Sequence, residues 1–123
     1  MLDMIKHSLL AFALLTASAL PAAALELVMF EAPGCTFCEQ WHEEVGDAYP
    51  KTAEGRRAPL RVVNMQSKRP ADLAAIKPVI FSPTFVLVED GQEMGRIQGY
   101  PGEEFFWPML GELLEAIPAA PES

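Results

Sequence analysis

The sequence predicts an α/β fold, a four-stranded mixed sheet with helices on both faces. The first half of the chain has the order strand, helix, strand, which indicates a parallel βαβ unit with a right-handed crossover. A hairpin follows, with Asp90-Gly91 at its turn. A last apolar pattern of helical spacing, from Phe105 to Ile117, supplies a helix that covers the sheet.

The first half supplies the parallel pair of strands and the helix between them. Leu25 to Phe30 is a nearly continuous apolar run, which is typical of a buried parallel strand. The helix begins at about Cys35, carries apolar residues at three- and four-residue steps, and ends before Pro50. A polar loop is expected from Lys51 to Pro59, and the second strand from Leu60 to Met65.

The second half supplies a short helix and the antiparallel hairpin. Pro70 suits the first turn of a helix that we expect from Ala71 to Lys77. The hairpin strands are expected from Thr84 to Val88 and from Glu93 to Gln98. In the last helix, Pro108 either kinks the helix or marks its true start.

The N-terminus has the pattern of a secretory signal peptide. A charged start precedes an almost wholly apolar run, Ser8 to Leu20, and small residues follow it. We expect cleavage after Ala24, with residues 1–24 as the signal peptide, residues 25–118 as one domain and residues 119–123 as a disordered tail. The alternative is an uncleaved anchor, although the run is shorter than the roughly 20 residues of a membrane span. The expected location is the periplasm.

The charge of the chain limits its partners. Seventeen acidic and nine basic residues give a net charge of −8. A chain this acidic is repelled by nucleic acid and by anionic membrane surfaces. We separately expect a monomer that needs no cofactor and that acts on proteins.

The two cysteines of the chain, Cys35 and Cys38, lie where the first strand ends and the first helix begins. At a helix N-terminus the unpaired N–H groups and the helix dipole stabilise a thiolate, which is the species that attacks disulfides. A disulfide across two residues restrains little chain, so it adds little stability even in an oxidising compartment. The pair predicts thiol–disulfide exchange; the alternatives are a passive disulfide and a metal site.

Three stretches of the sequence resemble the thioredoxin family: Phe30 to Cys38, Ser82 to Phe85, and Gly91 to Tyr100. The resemblance implies the minimal thioredoxin fold, without the extra N-terminal strand and helix of thioredoxin itself. It also implies that Cys35 is the exposed nucleophile and that Cys38 resolves the mixed disulfide.

The same resemblance implies substrate contacts around the cysteines. Pro83 would be cis and face the disulfide, and Ser82 would offer backbone hydrogen bonds to an extended substrate segment. Thr36 and Phe37 lie between the cysteines, where such a motif is accessible. Tyr100 is a second candidate for exposed contact with a partner, and ordinary packing is its alternative.

The departures from thioredoxin concern the surroundings of the thiols. Met29 stands where thioredoxin has a buried acid, and nearby Glu31 is a candidate proton acceptor for Cys38. The alternative for Glu31 is a solvated carboxylate at a strand end. His42 follows Cys38 by four residues and is a candidate for electrostatic tuning of the thiols, with a partly exposed helix residue as its alternative. Cys35, Cys38 and His42 could together bind copper or zinc, but a structural zinc site takes four ligands.

The stretch from Phe30 to Trp41 is also similar to the SoxS type, the periplasmic thioredoxin-like proteins of bacterial sulfur-oxidation clusters. This narrower resemblance implies an exported oxidoreductase that reduces a specific partner. With one cysteine pair, the electrons must come from a separate redox partner, such as a membrane electron donor. The alternatives are a non-catalytic binding module of thioredoxin fold and a copper-handling protein.

Overall fold

A computed structural model describes residues 25–118, and its centre is a four-stranded sheet of order β2-β1-β3-β4. The strands are β1 (Leu25–Glu31), β2 (Leu60–Asn64), β3 (Thr84–Glu89) and β4 (Gln92–Gln98). β1 is parallel to β2 and antiparallel to β3, and β3 and β4 form the antiparallel hairpin. The predicted α/β class and mixed sheet are confirmed. The predicted signal peptide and tail lie outside the described residues.

Three α-helices accompany the sheet in the described residues. They are α1 (Thr36–Trp41), α2 (Ala53–Arg57) and α3 (Glu103–Glu115). α1 continues into one π-helical turn, His42–Gly46, so the predicted first helix changes its winding after Trp41. Within residues 25–118, no helix has both the length and the apolar character that a membrane crossing requires.

α1 and α3 pack on one face of the sheet and form the larger core. Its fully buried strand residues include Leu27, Met29 and Phe85, as period-two alternation places them on one face. Trp41 is fully buried between the layers, with ring centroids 5.3 Å from Phe85 and 5.8 Å from Phe106. α1 is therefore fixed on the sheet by an aromatic anchor one turn after the cysteines.

The other face of the sheet has a thinner cover. Its apolar strand residues pack against Leu73 and Ile76, and the predicted helix from Ala71 to Lys77 is only a 3₁₀ turn, Ala71–Leu73. The prediction was wrong in extent because a helix of seven residues is too short to be stable by itself and depends on the packing of its neighbours. Beyond this turn, backbone carbonyls of the segment accept hydrogen bonds from the side chains of Arg69 and Arg96 instead.

One further prediction about helices was wrong, and one open alternative is decided. The expected loop from Lys51 to Pro59 begins at the last residue of a 3₁₀ turn, Tyr49–Lys51, and contains α2. Thr52 caps α2, since its Oγ1 accepts a hydrogen bond of 3.0 Å from the N–H of Gly55. Pro108 lies inside α3, which begins at Glu103, so the proline does not mark the start of that helix.

Candidate active site

Cys35 and Cys38 form a disulfide at the junction of β1 and α1. Gly34 turns the chain from strand to helix with a φ of 73°, a value that glycine adopts without strain. Cys35 is then the N-cap of α1, and its Sγ accepts a 3.1 Å hydrogen bond from the N–H of Cys38. Cys35 is half-buried, whereas Cys38 is only 3% exposed. The pair therefore has an accessible sulfur and a sheltered one.

The loop before β3 lies against the sheltered sulfur. The Ser82–Pro83 peptide bond is cis, and Pro83 is buried. The carbonyl of Pro83 accepts a 2.7 Å hydrogen bond from the N–H of Gly99, which ties the loop to the end of β4. This placement brings Ser82 Oγ to 3.2 Å from the Sγ of Cys38.

A groove of about 440 Å³ opens beside the disulfide. Phe37 from α1 and Phe81 from the loop before β3 line this groove, and each side chain is more than half exposed. The full lining consists of Phe37, Phe81, Ser82, Gln98, Gly99, Tyr100 and Pro101. Three predicted contact residues, Phe37, Ser82 and Tyr100, thus line one largely apolar surface. Thr36 is exposed but does not belong to the lining.

Tyr100 corrects an expectation of the sequence. Its side chain is only 7% exposed, so it lines the groove without standing out from it. The hydroxyl donates a 2.8 Å hydrogen bond to Glu44 Oε2, and the ring packs edge-on against Phe106. Burial, together with the Glu44 carboxylate, raises the pKa of Tyr100, so the phenol stays neutral and keeps donating. Tyr100 ties the end of the hairpin to the helix that follows the cysteines.

Glu31 and His42 pair with each other. His42 Nε2 lies 2.8 Å from Glu31 Oε2, and the two side chains are 42% and 31% exposed, respectively. Glu31 makes no hydrogen bond to Cys38, and Met29 is fully buried in the larger core. Among residues 25–118, neither position brings a carboxylate into hydrogen-bonding contact with the sheltered sulfur.

The predicted metal triplet does not assemble. The cysteines are joined to each other, and the ring of His42 is directed at Glu31. No group of three or more metal-ligating side chains occurs in the part of the chain that the structure describes. In this oxidised form the two sulfurs and the imidazole therefore have other partners.

The sequence missed part of the groove. Phe81, Gln98 and Pro101 also line it. Phe81 and Pro101 each adjoin a segment that the resemblance had singled out, and Gln98 lies within one. Their position in or beside these segments was the signal that could have identified them as groove residues. The contact between Ser82 and Cys38 spans 44 residues, and no local pattern encodes it.

Comparison with known proteins agrees with this geometry. A family model described as a thioredoxin-like domain matches residues 17–114. The reduced periplasmic thioredoxin SoxS of Paracoccus pantotrophus is 49% identical, with a TM-score of 0.71 over 74% of this chain and 96% of that one. A thioredoxin of Fasciola hepatica is 27% identical, with a TM-score of 0.55 over 73% of this chain and 81% of that one. No curated protein sequence matches significantly.

Proposed function

The chain belongs to the thioredoxin-like family and is a thiol–disulfide oxidoreductase. We propose that it is exported to the periplasm, where it reduces the disulfide of a specific partner protein. The proposal is carried by the unequal cysteine pair, with half-buried Cys35 at a helix N-cap and buried Cys38 behind it. The predicted signal peptide and the 49% identity to a periplasmic thioredoxin support the location.

The chemistry proceeds in two exchanges. In the reduced protein, the Cys35 thiolate attacks one sulfur of the partner's disulfide, and the other partner sulfur leaves as a thiolate that takes up a proton. The Cys38 thiolate then attacks the Cys35 sulfur of the mixed disulfide. The second partner sulfur leaves and is protonated, and Cys35 and Cys38 are joined. The partner gains two electrons and two protons, and this protein loses them.

The groove is suited to an extended segment of the partner. Within residues 25–118, the backbone N–H and C=O of Ser82 have no backbone hydrogen-bond partner, so both are available to a strand-like peptide. Phe37 and Phe81 offer apolar contact on either side. We expect the partner's cysteine to be flanked by apolar residues, because these bury the exposed aromatic rings.

Each turnover leaves this protein oxidised. The chain has no cysteine besides Cys35 and Cys38, so it holds no second pair from which the electrons could return. A separate protein must restore the dithiol, and in the periplasm we propose a membrane electron donor for this role. Without such a donor the oxidising compartment would keep the pair as a disulfide.

Trapping tests the proposal. In the Cys38→Ser variant the mixed disulfide at Cys35 has no internal attacker, so we expect the variant to accumulate as a covalent complex with its partner. Periplasmic extract from cells that express it is alkylated and separated on non-reducing gels. The matched Cys35→Ser variant should trap nothing. Equal trapping by both variants, or by neither, would contradict the assigned roles.

The direction of electron flow is tested in the same cells. Rapid acid quenching and alkylation report the fraction of wild-type protein that carries free thiols. A reductant should be mostly a dithiol at steady state and should become oxidised when its donor is lost. A protein that is mostly a disulfide, and that speeds disulfide formation in a reduced test protein, would refute the reductant role while leaving the exchange chemistry intact.

A further inference from the structure

Cys38 must carry a negative charge in a place that disfavours charge. Its side chain is 3% exposed and packs in the larger core with Met29 and Trp41. Removing an ion from water without a compensating partner is costly, so burial favours the neutral thiol over the thiolate. The release step nevertheless needs the thiolate, since only that form attacks a disulfide.

One polar side chain contacts this sulfur. Ser82 Oγ lies 3.2 Å from Cys38 Sγ, and no other side chain of residues 25–118 makes a hydrogen bond to it. In the disulfide the sulfur has no proton, so the serine hydroxyl is the donor. The carboxylate nearest in sequence, Glu31, is held by His42 at 2.8 Å. The hydroxyl is thus the one internal donor for the sheltered sulfur in the described part of the chain.

The hydroxyl is also held in place and reachable from solvent. The cis peptide bond to buried Pro83 fixes the backbone behind it, and the Gly99 N–H anchors that proline to β4. Ser82 itself is half-buried and lines the groove. A proton that leaves Cys38 therefore has a path to groove water past the same side chain.

We infer that Ser82 is a catalytic residue of the release step, in which its side-chain hydroxyl donates a hydrogen bond to the Cys38 thiolate; the inference rests on the two-exchange chemistry proposed above. Cys38 gives its proton to water in the groove. The thiolate forms a bond to Cys35 Sγ while the bond from Cys35 to the partner sulfur breaks. The electron pair leaves on the partner sulfur, which takes up a proton. The serine hydroxyl keeps its own proton throughout.

The test separates the two exchanges in one reaction. Reduced protein is mixed in a stopped-flow instrument with Ellman's reagent, an aromatic disulfide whose released thiolate is coloured. Attack by Cys35 releases the first coloured thiolate in a phase that depends on reagent concentration. Attack by Cys38 on the mixed disulfide releases the second in a phase that does not. Both phases are recorded across pH for wild type and for Ser82→Ala.

The expected signature is a crossing of two pH profiles. A hydrogen bond to a charged group corresponds to a shift of roughly one unit or more in the pH midpoint of the second phase, so Ser82→Ala should have the higher midpoint. A more basic thiolate is also a better nucleophile. For a shift of one unit, the variant should be about threefold slower than wild type below both midpoints and about threefold faster above them. The first phase should change little.

Two variants control for shape. Ser82→Thr keeps the hydroxyl and should return the midpoint close to that of wild type. Thr84→Val removes a hydroxyl at the start of β3, which donates a 2.6 Å hydrogen bond to the carbonyl of Phe81 and does not contact sulfur. It should leave the midpoint of the second phase in place.

Other outcomes overturn the inference. A second phase of Ser82→Ala that is unchanged, or slowed equally at every pH, would mean that the hydroxyl does not stabilise the thiolate. A shift of the same size in Thr84→Val would assign the effect to loop structure. Absence of a second phase in wild type would instead refute the two-exchange chemistry itself, so the two failures are distinguishable.

Discussion

Cys35 and Cys38 are separated by two residues but have different surroundings. Cys35 caps α1 and is half-buried, whereas Cys38, less than one helical turn later, is only 3% exposed. The Trp41 anchor holds this orientation from one turn further along. The division into attacking and resolving sulfur therefore follows from where a helix begins on a buried strand.

Glu93 gives a residue-scale prediction about pH. Arg96 hydrogen-bonds it and holds the pKa of the Glu93 carboxyl below its usual range, and both side chains are less than one fifth exposed. Because the folded pKa is the lower one, the pair stabilises the fold fully above the unfolded pKa of about 4.3 and loses that contribution as pH falls through the folded pKa. Glu93→Gln should therefore cost about 1 kcal/mol at neutral pH and almost nothing in acid.

Urea unfolding of wild type and variant, from neutral pH down to about pH 3, measures this difference. Glu43→Gln is the matched control, because Glu43 is exposed and has no ion pair among residues 25–118. A stability difference that is the same at every pH would mean that Glu93→Gln acts through packing and not through charge.

Tyr100 and Ser82 mark the limit of prediction at this scale. The sequence identified both as site residues, yet it placed the tyrosine side chain outside and gave the serine only a backbone role. Their contacts are with Glu44 and Cys38, which are 56 and 44 residues away. A local pattern encodes which residues stand near a motif. It does not encode which way a side chain turns when distant segments meet.

At the scale of elements, the strands were the predictable part. All four lie within one residue of their predicted ends, because short apolar runs bounded by turn residues and the Asp90-Gly91 turn are strong local signals. The short helices were not predictable in this way. α2 has five residues and no apolar repeat, and its signal is the cap that Thr52 supplies. A helix so short depends on the packing of its neighbours.

Gly55 supplies the element-scale prediction. It is the buried residue of α2, and a Cβ there would lie 1.8 Å from the carbonyl oxygen of Tyr49, in the preceding 3₁₀ turn. Backbone must move to relieve this clash, so Gly55→Ala should destabilise the fold by about 2–3 kcal/mol. Chemical denaturation of the purified variant measures the loss.

Gly46 is the matched control for that substitution. A Cβ at Gly46 would meet its nearest neighbours at 3.5 Å, which is ordinary van der Waals contact. Alanine also has the better helix propensity, so Gly46→Ala should keep or raise stability. Equal loss in both variants would show that the close approach at Gly55 is not the cause.

For the molecule as a whole, the two faces of the sheet are covered unequally. α1 and α3 bury the larger core, whereas the other face has Leu73 and Ile76 on a segment with little regular structure. Two arginines hold that segment. Arg69 donates to the carbonyl of Ile76, and Arg96 donates to those of Lys77 and Pro78. The same segment leads directly into the Ser82–Pro83 loop, so the thin cover also supports the active site.

Arg96 therefore gives a prediction at the scale of the molecule. Arg96→Met keeps the apolar stem but removes the hydrogen bonds of 3.0 and 3.2 Å to the two carbonyls, and with them the contact to Glu93. Amide hydrogen exchange of residues 74–82 should become roughly tenfold faster, because the hydrogen bonds that hold the segment to Arg96 are lost, while the larger core keeps its protection.

Arg56→Met is the control, because Arg56 donates to a single carbonyl, that of Lys51, which is far from the loop in the chain. If Arg96→Met leaves exchange in residues 74–82 unchanged, or speeds exchange equally in α3, the arginine is not what holds the active-site loop to the sheet.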